Sequence, residues 1–181
     1  MPRGPTFASA ITITTAFLMV AAHAARADTT FVALLDGAQV VPGGTGSPAT
    51  GQGVFVLNDD ATALTYTVDY AGLIGMAIVG ADFRNGAAGV EGPLARRVDV
   101  SAATYPNGNL TGIWAATDPP SLGPLTPQLV SELMSGRIYV TIRTNDHGNH
   151  GEIRGQIVPE PACSLLFAAF AGLGLRRPTR L

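Results

Sequence analysis

The segment best suited to chemistry is 146–152, which reads Asp-His-Gly-Asn-His-Gly-Glu. Imidazoles and carboxylates are ligands that transition metals accept, and the glycines would let the segment bend around an ion. Asp146, His147 and His150 are therefore the candidate metal ligands. However, Gly, Asn and Asp are also the residues that a hairpin turn requires, and two histidines three apart do not complete a four-ligand shell. We expect a solvated turn here and no bound cofactor.

Patterns typical of hydrolases and nucleotide-binding enzymes are missing from the sequence. No Gly-x-Ser-x-Gly turn occurs, and the glycines at 86, 89 and 92 are not followed by a phosphate-binding motif. The only cysteine, Cys163, lies near the C-terminus, apart from the hairpin histidines. We therefore expect no catalytic residues and a protein that is not an enzyme.

Two polar pairs are weaker candidates for a functional surface. Arg143 and Glu152 flank the predicted hairpin, so we expect them to face each other across its strands and to help set the register. Asp82 and Arg84 are two residues apart and are expected on one face of a strand, as a polar patch or as ordinary solvated side chains.

The elements that must position these residues are short strands. Apolar residues recur at every second position through much of the chain from 29 to 158, as in Leu64, Tyr66, Val68 and Tyr70, which is typical of strands with one buried face. Sparse charge with 22 Gly and 13 Pro favours short elements joined by turns. The predicted strands are 31–35, 54–57, 64–70, 77–83, 97–101, 112–115, 138–142 and 152–158.

One short helix interrupts this pattern. Thr126 predicts an N-cap, Pro127 suits the first helical position and Gly136 marks the end. Together these elements predict an all-β fold, an immunoglobulin-like antiparallel β-sandwich or Greek-key barrel with one short helix. We expect Trp114 and Tyr139 to be core and surface neighbours, with a small aromatic platform for sugar as the alternative.

Four sequence blocks carry a family resemblance. Residues 35–42 read Leu-Asp-Gly-Ala-Gln-Val-Val-Pro, 112–114 read Gly-Ile-Trp, 136–140 read Gly-Arg-Ile-Tyr-Val, and 151–156 read Gly-Glu-Ile-Arg-Gly-Gln. In this order they resemble the CHRD domain over residues 28–158. The resemblance implies an immunoglobulin-like β-sandwich, found in chordin and in exported bacterial proteins of mostly unknown role.

The chain departs from that family at its histidines. Family members usually have Ala-His-Ile-His-x-Gly after the third strand, where residues 81–86 read Ala-Asp-Phe-Arg-Asn-Gly. A usual His-Thr is Arg143-Thr144 here, and a usual glutamate is Val40. A histidine-based role therefore cannot be transferred to these positions.

Residues 1–27 are predicted to be a secretory signal peptide. A single arginine precedes an apolar, Thr-rich stretch, and Ala25 and Ala27 form a small-x-small cleavage site before Asp28. The apolar stretch is shorter than the roughly 20 residues that a membrane span needs.

Residues 159–181 are predicted to be a second targeting signal, at the C-terminus. Pro159, Glu160 and Pro161 precede an apolar run at 162–175, and Arg176 and Arg177 follow it. We expect the two prolines to detach this tail from the domain. The arrangement resembles the PEP-CTERM sorting signal of Gram-negative bacteria, with an ordinary C-terminal anchor as the alternative. The resemblance implies transient inner-membrane insertion, processing by an exosortase-type protease, and a cell-surface or extracellular location.

The charge of residues 28–160 limits the classes of partner that the domain can bind. Residues 28–160 hold all 13 acidic residues but six of the 11 arginines, which leaves a formal charge of −7 and disfavours nucleic acid. The sequence therefore favours an exported, surface-sorted, non-enzymatic module that binds exopolysaccharide or another surface protein, in adhesion or in the matrix. The alternative is a metal-binding protein or metal-dependent enzyme on a superoxide-dismutase-like sandwich, using His147 and His150.

Overall fold

The computed structural model describes residues 27–160, which form antiparallel β-structure with one short helix. The all-β prediction is therefore confirmed. In chain order the elements are β1 (Thr29–Asp36), β2 (Thr50–Leu57), β3 (Ala63–Ala71), β4 (Ile78–Asn85), β5 (Leu94–Val98), β6 (Gly108–Ala115), α1 (Pro127–Met134), β7 (Ile138–Thr144), β8 (Ile153–Gln156) and β9 (Val158–Pro159).

The strands form one curled sheet. Their order is β5-β4-β7-β8-β1-β2-β3-β6, and β9 pairs with β1. The two outermost strands, β5 and β6, approach each other. Nη2 of Arg96 in β5 donates to the carbonyl of Ile113 in β6 at 2.8 Å. The sheet is thus a nearly closed barrel in which one side chain bridges the remaining gap.

Aromatic side chains fill the interior. The ring of Phe83 stacks on Trp114 with 5.2 Å between centroids and meets Tyr66 edge-on at 5.1 Å. Trp114 is fully buried, and its Nε1 donates to the carbonyl of Gly123 at 2.9 Å. The prediction that Trp114 is a core residue is confirmed, whereas Tyr139 lies on the outer face of the sheet. The two rings therefore do not form a shared platform.

The helix begins and ends where the sequence indicates. The side chain of Thr126 accepts a hydrogen bond from the backbone N–H of Leu129 at 3.2 Å, which is an N-cap. Gly136 adopts a φ of +66°, a conformation that favours glycine after a helix end. Leu133 is the buried residue that attaches the helix to the core.

Several strands differ from their predicted limits, and β2 and β6 each begin four residues before the predicted start. β5 ends at Val98 instead of residue 101, because the carboxylate of Asp99 accepts from the backbone N–H of Ser101 at 2.9 Å and turns the chain. The last predicted strand is divided into β8 and β9.

The first proline of the predicted sorting motif lies within the sheet. Pro159 pairs with Phe31, and the backbone N–H of Glu160 donates to the carbonyl of Thr30 at 3.0 Å. Because pairs alternate along an antiparallel ladder, Phe31 and Pro159 form the pair that exchanges no hydrogen bonds. The missing N–H of proline is therefore not needed, and strand pairing continues one residue beyond Val158, where we expected the tail to detach.

The antiparallel order sorts the loops between two ends of the barrel. We call one the pocket end; it carries residues 37–49, 72–77, 99–107 and 145–152. The other, the terminal end, carries residues 58–62 and 116–137 together with residues 27, 28 and 160. The loop 86–93 starts there and extends along the outer face of the sheet, where Glu91 reaches His150 of the pocket end. Both chain segments outside the described residues therefore join the domain at the same end.

The described domain contains its own core. All the strand pairs described above, and the cluster of buried apolar side chains, lie between residues 29 and 159. A fragment of residues 28–160 therefore contains the contacts that an independent fold requires.

Candidate functional site

A buried carboxylate organises the pocket end. Glu152 is fully buried, and its oxygens accept hydrogen bonds from four donors in three separate segments. The donors are Ser47 Oγ at 2.7 Å, Ile74 N at 2.7 Å, Gly75 N at 3.1 Å and Thr144 Oγ1 at 2.7 Å. These bonds tie the β1–β2 and β3–β4 loops to the β7–β8 hairpin.

The same contacts set the ionisation of this carboxylate. Burial alone raises the pKa of the Glu152 carboxyl, because it removes water from the charged form. The hydrogen bonds to its oxygens outweigh burial and hold the pKa below its ordinary value. The group is thus a charged structural clasp at neutral pH.

This position corrects one expectation. Arg143 and Glu152 do not face each other across the hairpin. Gly151 adopts a φ of +101°, and the Glu152 side chain turns toward Thr144 and the loops of the pocket end. Arg143 instead lies on the outer face of the sheet, with its Nε 2.9 Å from Oδ2 of Asp82.

The rest of the block at residues 151–156 is also structural. The guanidinium carbon of Arg154 lies 3.5 Å from the ring centroid of Tyr139, and both residues are 2% exposed. The side-chain amide of Gln156 donates to the carbonyls of Gly136 and Ile138 at 2.8 and 3.1 Å. Polar residues in this block therefore stabilise the fold and leave few donors for a ligand.

A pocket of about 350 Å³ opens at the pocket end. One wall is residues 40–45 of the β1–β2 loop, including Val40 and Pro42, and the other is residues 146–151 of the hairpin. This volume falls at the lower end of the range of small-ligand sites. Val40 and Pro42 thus give the wall from the β1–β2 loop an apolar surface.

The hairpin histidines reach this pocket but face different partners. Nδ1 of His147 lies 3.8 Å from Oε2 of Glu152, whereas Nδ1 of His150 lies 3.2 Å from Oε2 of Glu91. Asp146 is exposed. Within residues 27–160, no group of three or more His, Cys, Asp or Glu side chains is placed to hold a metal ion.

An ion-pair cluster lies beside the pocket. Asp82 is 2% exposed, and its Oδ2 lies 2.9 Å from Nε of Arg143 and 3.9 Å from Nε of Arg84. Nη1 of Arg84 also lies 3.5 Å from Oε1 of Glu91, the partner of His150. We call Asp82, Arg84, Glu91, Arg143 and His150 the arginine cluster.

Three arginine-cluster residues come from two paired strands. Residues 82, 84 and 143 are separated in sequence, but β4 pairs with β7 so that all three side chains lie on one sheet face. A side-chain carbon at position 80, opposite Arg143 in the register, would clash with the guanidinium of Arg143. Gly80 therefore lets that arginine lie flat across β4.

Three residues of this site were not predicted from the sequence as site residues. Val40, Pro42 and Glu91 carry no local signal for a pocket or an ion pair, since their partners lie in loops that only the strand order brings close.

Three of the remaining predicted residues lie at the terminal end. Ala27 is exposed, and Pro159 and Glu160 are held beside β1 as described above. Ala25, Pro161, Arg176 and Arg177 are outside the described residues. In residues 27–160, no helix has the length and apolar character to cross a membrane.

Comparison with known families identifies most of the domain. The family model described as the CHRD domain matches residues 31–157. No curated protein and no solved structure matches the chain.

Proposed function

The chain belongs to the CHRD domain family, and we propose that it is an exported, surface-sorted module that binds an extracellular polymer and catalyses no reaction. The polymer is exopolysaccharide, and the setting is adhesion or the extracellular matrix. One observation carries the proposal: the pocket and the chain termini lie at opposite ends of the barrel.

This separation suits a domain delivered through a membrane. The N-terminal segment 1–27 is a signal peptide cleaved after Ala27, and the C-terminal segment 159–181 is a PEP-CTERM sorting signal. Residues 28 and 160 lie side by side at the terminal end, because Glu160 donates to Thr30 at 3.0 Å. With both segments directed toward the membrane, the pocket end points away from it and toward the matrix.

The sorting motif lies where a processing enzyme can reach it. Strand pairing with β1 ends at Pro159, and Glu160 makes the last backbone contact with the sheet. An exosortase-type protease that cleaves beyond Pro161 leaves the barrel intact. Arg176 and Arg177 then serve as the cytoplasmic stop for transient insertion in the inner membrane.

The polar groups of the domain support binding rather than catalysis. Glu152 accepts four hydrogen bonds from structural donors, and Arg154 is packed on Tyr139. A general base must lie within hydrogen-bonding distance of the substrate proton that it removes. The buried carboxylate of Glu152 is instead committed to loop contacts.

Delivery is tested by cell fractionation. Replacing Pro159 and Pro161 with alanine should leave the domain folded but cause it to accumulate at the inner membrane. The matched control replaces Pro119 and Pro120, two exposed prolines of a loop at the terminal end, and should reach the surface normally. Unchanged surface delivery of the first variant would contradict the proposed sorting.

A further inference from the structure

Arginine is concentrated on one face of this acidic domain. Residues 28–160 contain six arginines, and four of them, at positions 84, 97, 143 and 154, lie on the outer face of the β5-β4-β7-β8 half of the sheet. The cross-strand register places Arg97 opposite Asp82. With a formal charge of −7 on the whole segment, this face is where positive charge collects.

Three of these arginine side chains are at least partly exposed. Arg154 is buried, but Arg97 is exposed and the side chains of Arg84 and Arg143 are each 21% exposed. Only two carboxylates, Asp82 and Glu91, accompany them among the described residues of this face. The four arginines of this face therefore exceed its two carboxylates by two positive charges.

The structure holds one guanidinium in place before any ligand arrives. Asp82 forms an ion pair with Arg143 and accepts from its Nη2 at 3.5 Å, Gly80 provides the space beneath the guanidinium, and Nη1 of Arg143 reaches the carbonyl of Gly148 at 3.5 Å. An arginine has five N–H donors. An arginine anchored through some donors and exposed with others is suited to bind carboxylate.

The arginine cluster joins the pocket directly. Gly148, whose carbonyl accepts from Arg143, lines the pocket, as does His150, the partner of Glu91. The pocket itself has the apolar wall of Val40 and Pro42 opposite polar hairpin groups. Such a mixed lining suits a sugar ring, which has apolar faces and polar edges.

We propose that the ligand is an acidic polysaccharide, with a sugar ring in the pocket and its carboxylate on Arg143 and Arg84. This inference rests on the proposed function and names the class of polymer. A neutral polysaccharide leaves the excess positive charge without a partner. An acidic peptide offers the carboxylate but no ring for the pocket.

The test measures binding of fragment 28–160 to polygalacturonate, to carboxyl-reduced polygalacturonate and to polyglutamate by calorimetry. Polygalacturonate should bind, and its affinity should fall as salt is raised. Carboxyl reduction should weaken binding at least tenfold, since a charge-assisted contact is lost. Tighter binding of polyglutamate, or equal binding of the reduced polymer, would overturn the proposal.

Substitutions locate the site. Arg84→Gln and Arg143→Gln should each weaken polygalacturonate binding about tenfold. Glu91→Gln removes an exposed negative charge and should strengthen binding severalfold, which a merely destabilised protein would not do. The control is Arg137→Gln, because Arg137 is exposed and is paired with Glu132 at 2.9 Å. Unchanged affinity in both arginine variants would overturn the assignment.

The two proposals fail differently. Binding to the producing cell's own exopolysaccharide that survives Arg84→Gln, Arg143→Gln and high salt would contradict the acidic ligand alone. A protein that binds neither polygalacturonate nor that exopolysaccharide would contradict the proposed function as well.

Discussion

The hydroxyl of Ser47 donates to the carboxylate of Glu152 at 2.7 Å, although 105 positions separate the two residues. Ile74, Gly75 and Thr144 donate to the same carboxylate. Three segments of the pocket end therefore meet at one buried charge. The shape of the pocket depends on this contact, because both of its walls belong to segments that Glu152 joins.

Glu152→Gln should destabilise the domain by about 2–4 kcal/mol, since the new amide group turns a donor toward groups that already donate. Urea unfolding of fragment 28–160 measures the free energy of unfolding. The control, Glu91→Gln at an exposed site, should change it by less than about 0.5 kcal/mol. Equal stability of both variants would show that the buried Glu152 carboxylate does not stabilise the domain.

Stability should fall in acid because of the same group. The pKa of Glu152 is lowered in the folded state, so the unfolded chain takes up the proton at a higher pH. The stabilisation is complete above about pH 5 and is lost as the pH falls below about 4.3, through the lowered pKa.

Unfolding curves between pH 3 and 7 test this dependence. Glu152→Gln should reduce the fall in the free energy of unfolding at acidic pH. His147 lies 3.8 Å from the carboxylate, so His147→Gln is the control. Its free energy of unfolding should still fall in acid almost as much as that of the unchanged fragment. If Glu152→Gln loses as much stability in acid as the unchanged fragment, other carboxylates cause the loss.

Gly155→Ala should destabilise the domain by about 1–3 kcal/mol. An added side-chain carbon there would lie 2.7 Å from the carbonyl oxygen of Leu34 and 2.8 Å from Cγ of Leu35. At Gly148 the nearest atom would be 3.7 Å away, so Gly148→Ala is the matched control and should be nearly neutral. Thermal unfolding distinguishes the two, and similar melting temperatures would contradict the close packing of β8 on β1.

Ending the chain at residue 157 should cost about 1–2 kcal/mol relative to residue 160. The shorter fragment loses β9 and the hydrogen bond from Glu160 to Thr30. Glu160→Gln in the longer fragment retains that backbone contact and should match the unchanged sequence. Identical unfolding of the two fragments would mean that the tail separates from the sheet at Val158, as the prolines alone suggested.

Strands with strict alternation were predictable because burial on one face requires it. In β3, Leu64, Tyr66, Val68 and Tyr70 are all buried, as their spacing predicted. In β5 the pattern fails because Arg96 points inward and donates to the carbonyl of Ile113. An interior arginine breaks the apolar periodicity from which strand limits are inferred.

The candidate site was less predictable than the fold. The hairpin with His147 and His150 was visible, since turn residues cluster there. The partner of Arg143 was not: the sequence predicted Glu152, whereas the register of β4 on β7 and the turn at Gly151 give Asp82. Long-range contacts of this kind depend on the strand order, which local patterns do not encode.

Binding to the producing cell's own exopolysaccharide tests the central claim most directly. Fragment 28–160 should co-sediment with that polymer in a saturable way. Asn149→Trp, which fills the pocket, should abolish binding, whereas Thr117→Trp, at an exposed position of the terminal end, should not. No saturable binding by the unchanged fragment, or equal binding by Asn149→Trp, would contradict a ligand site at the pocket end.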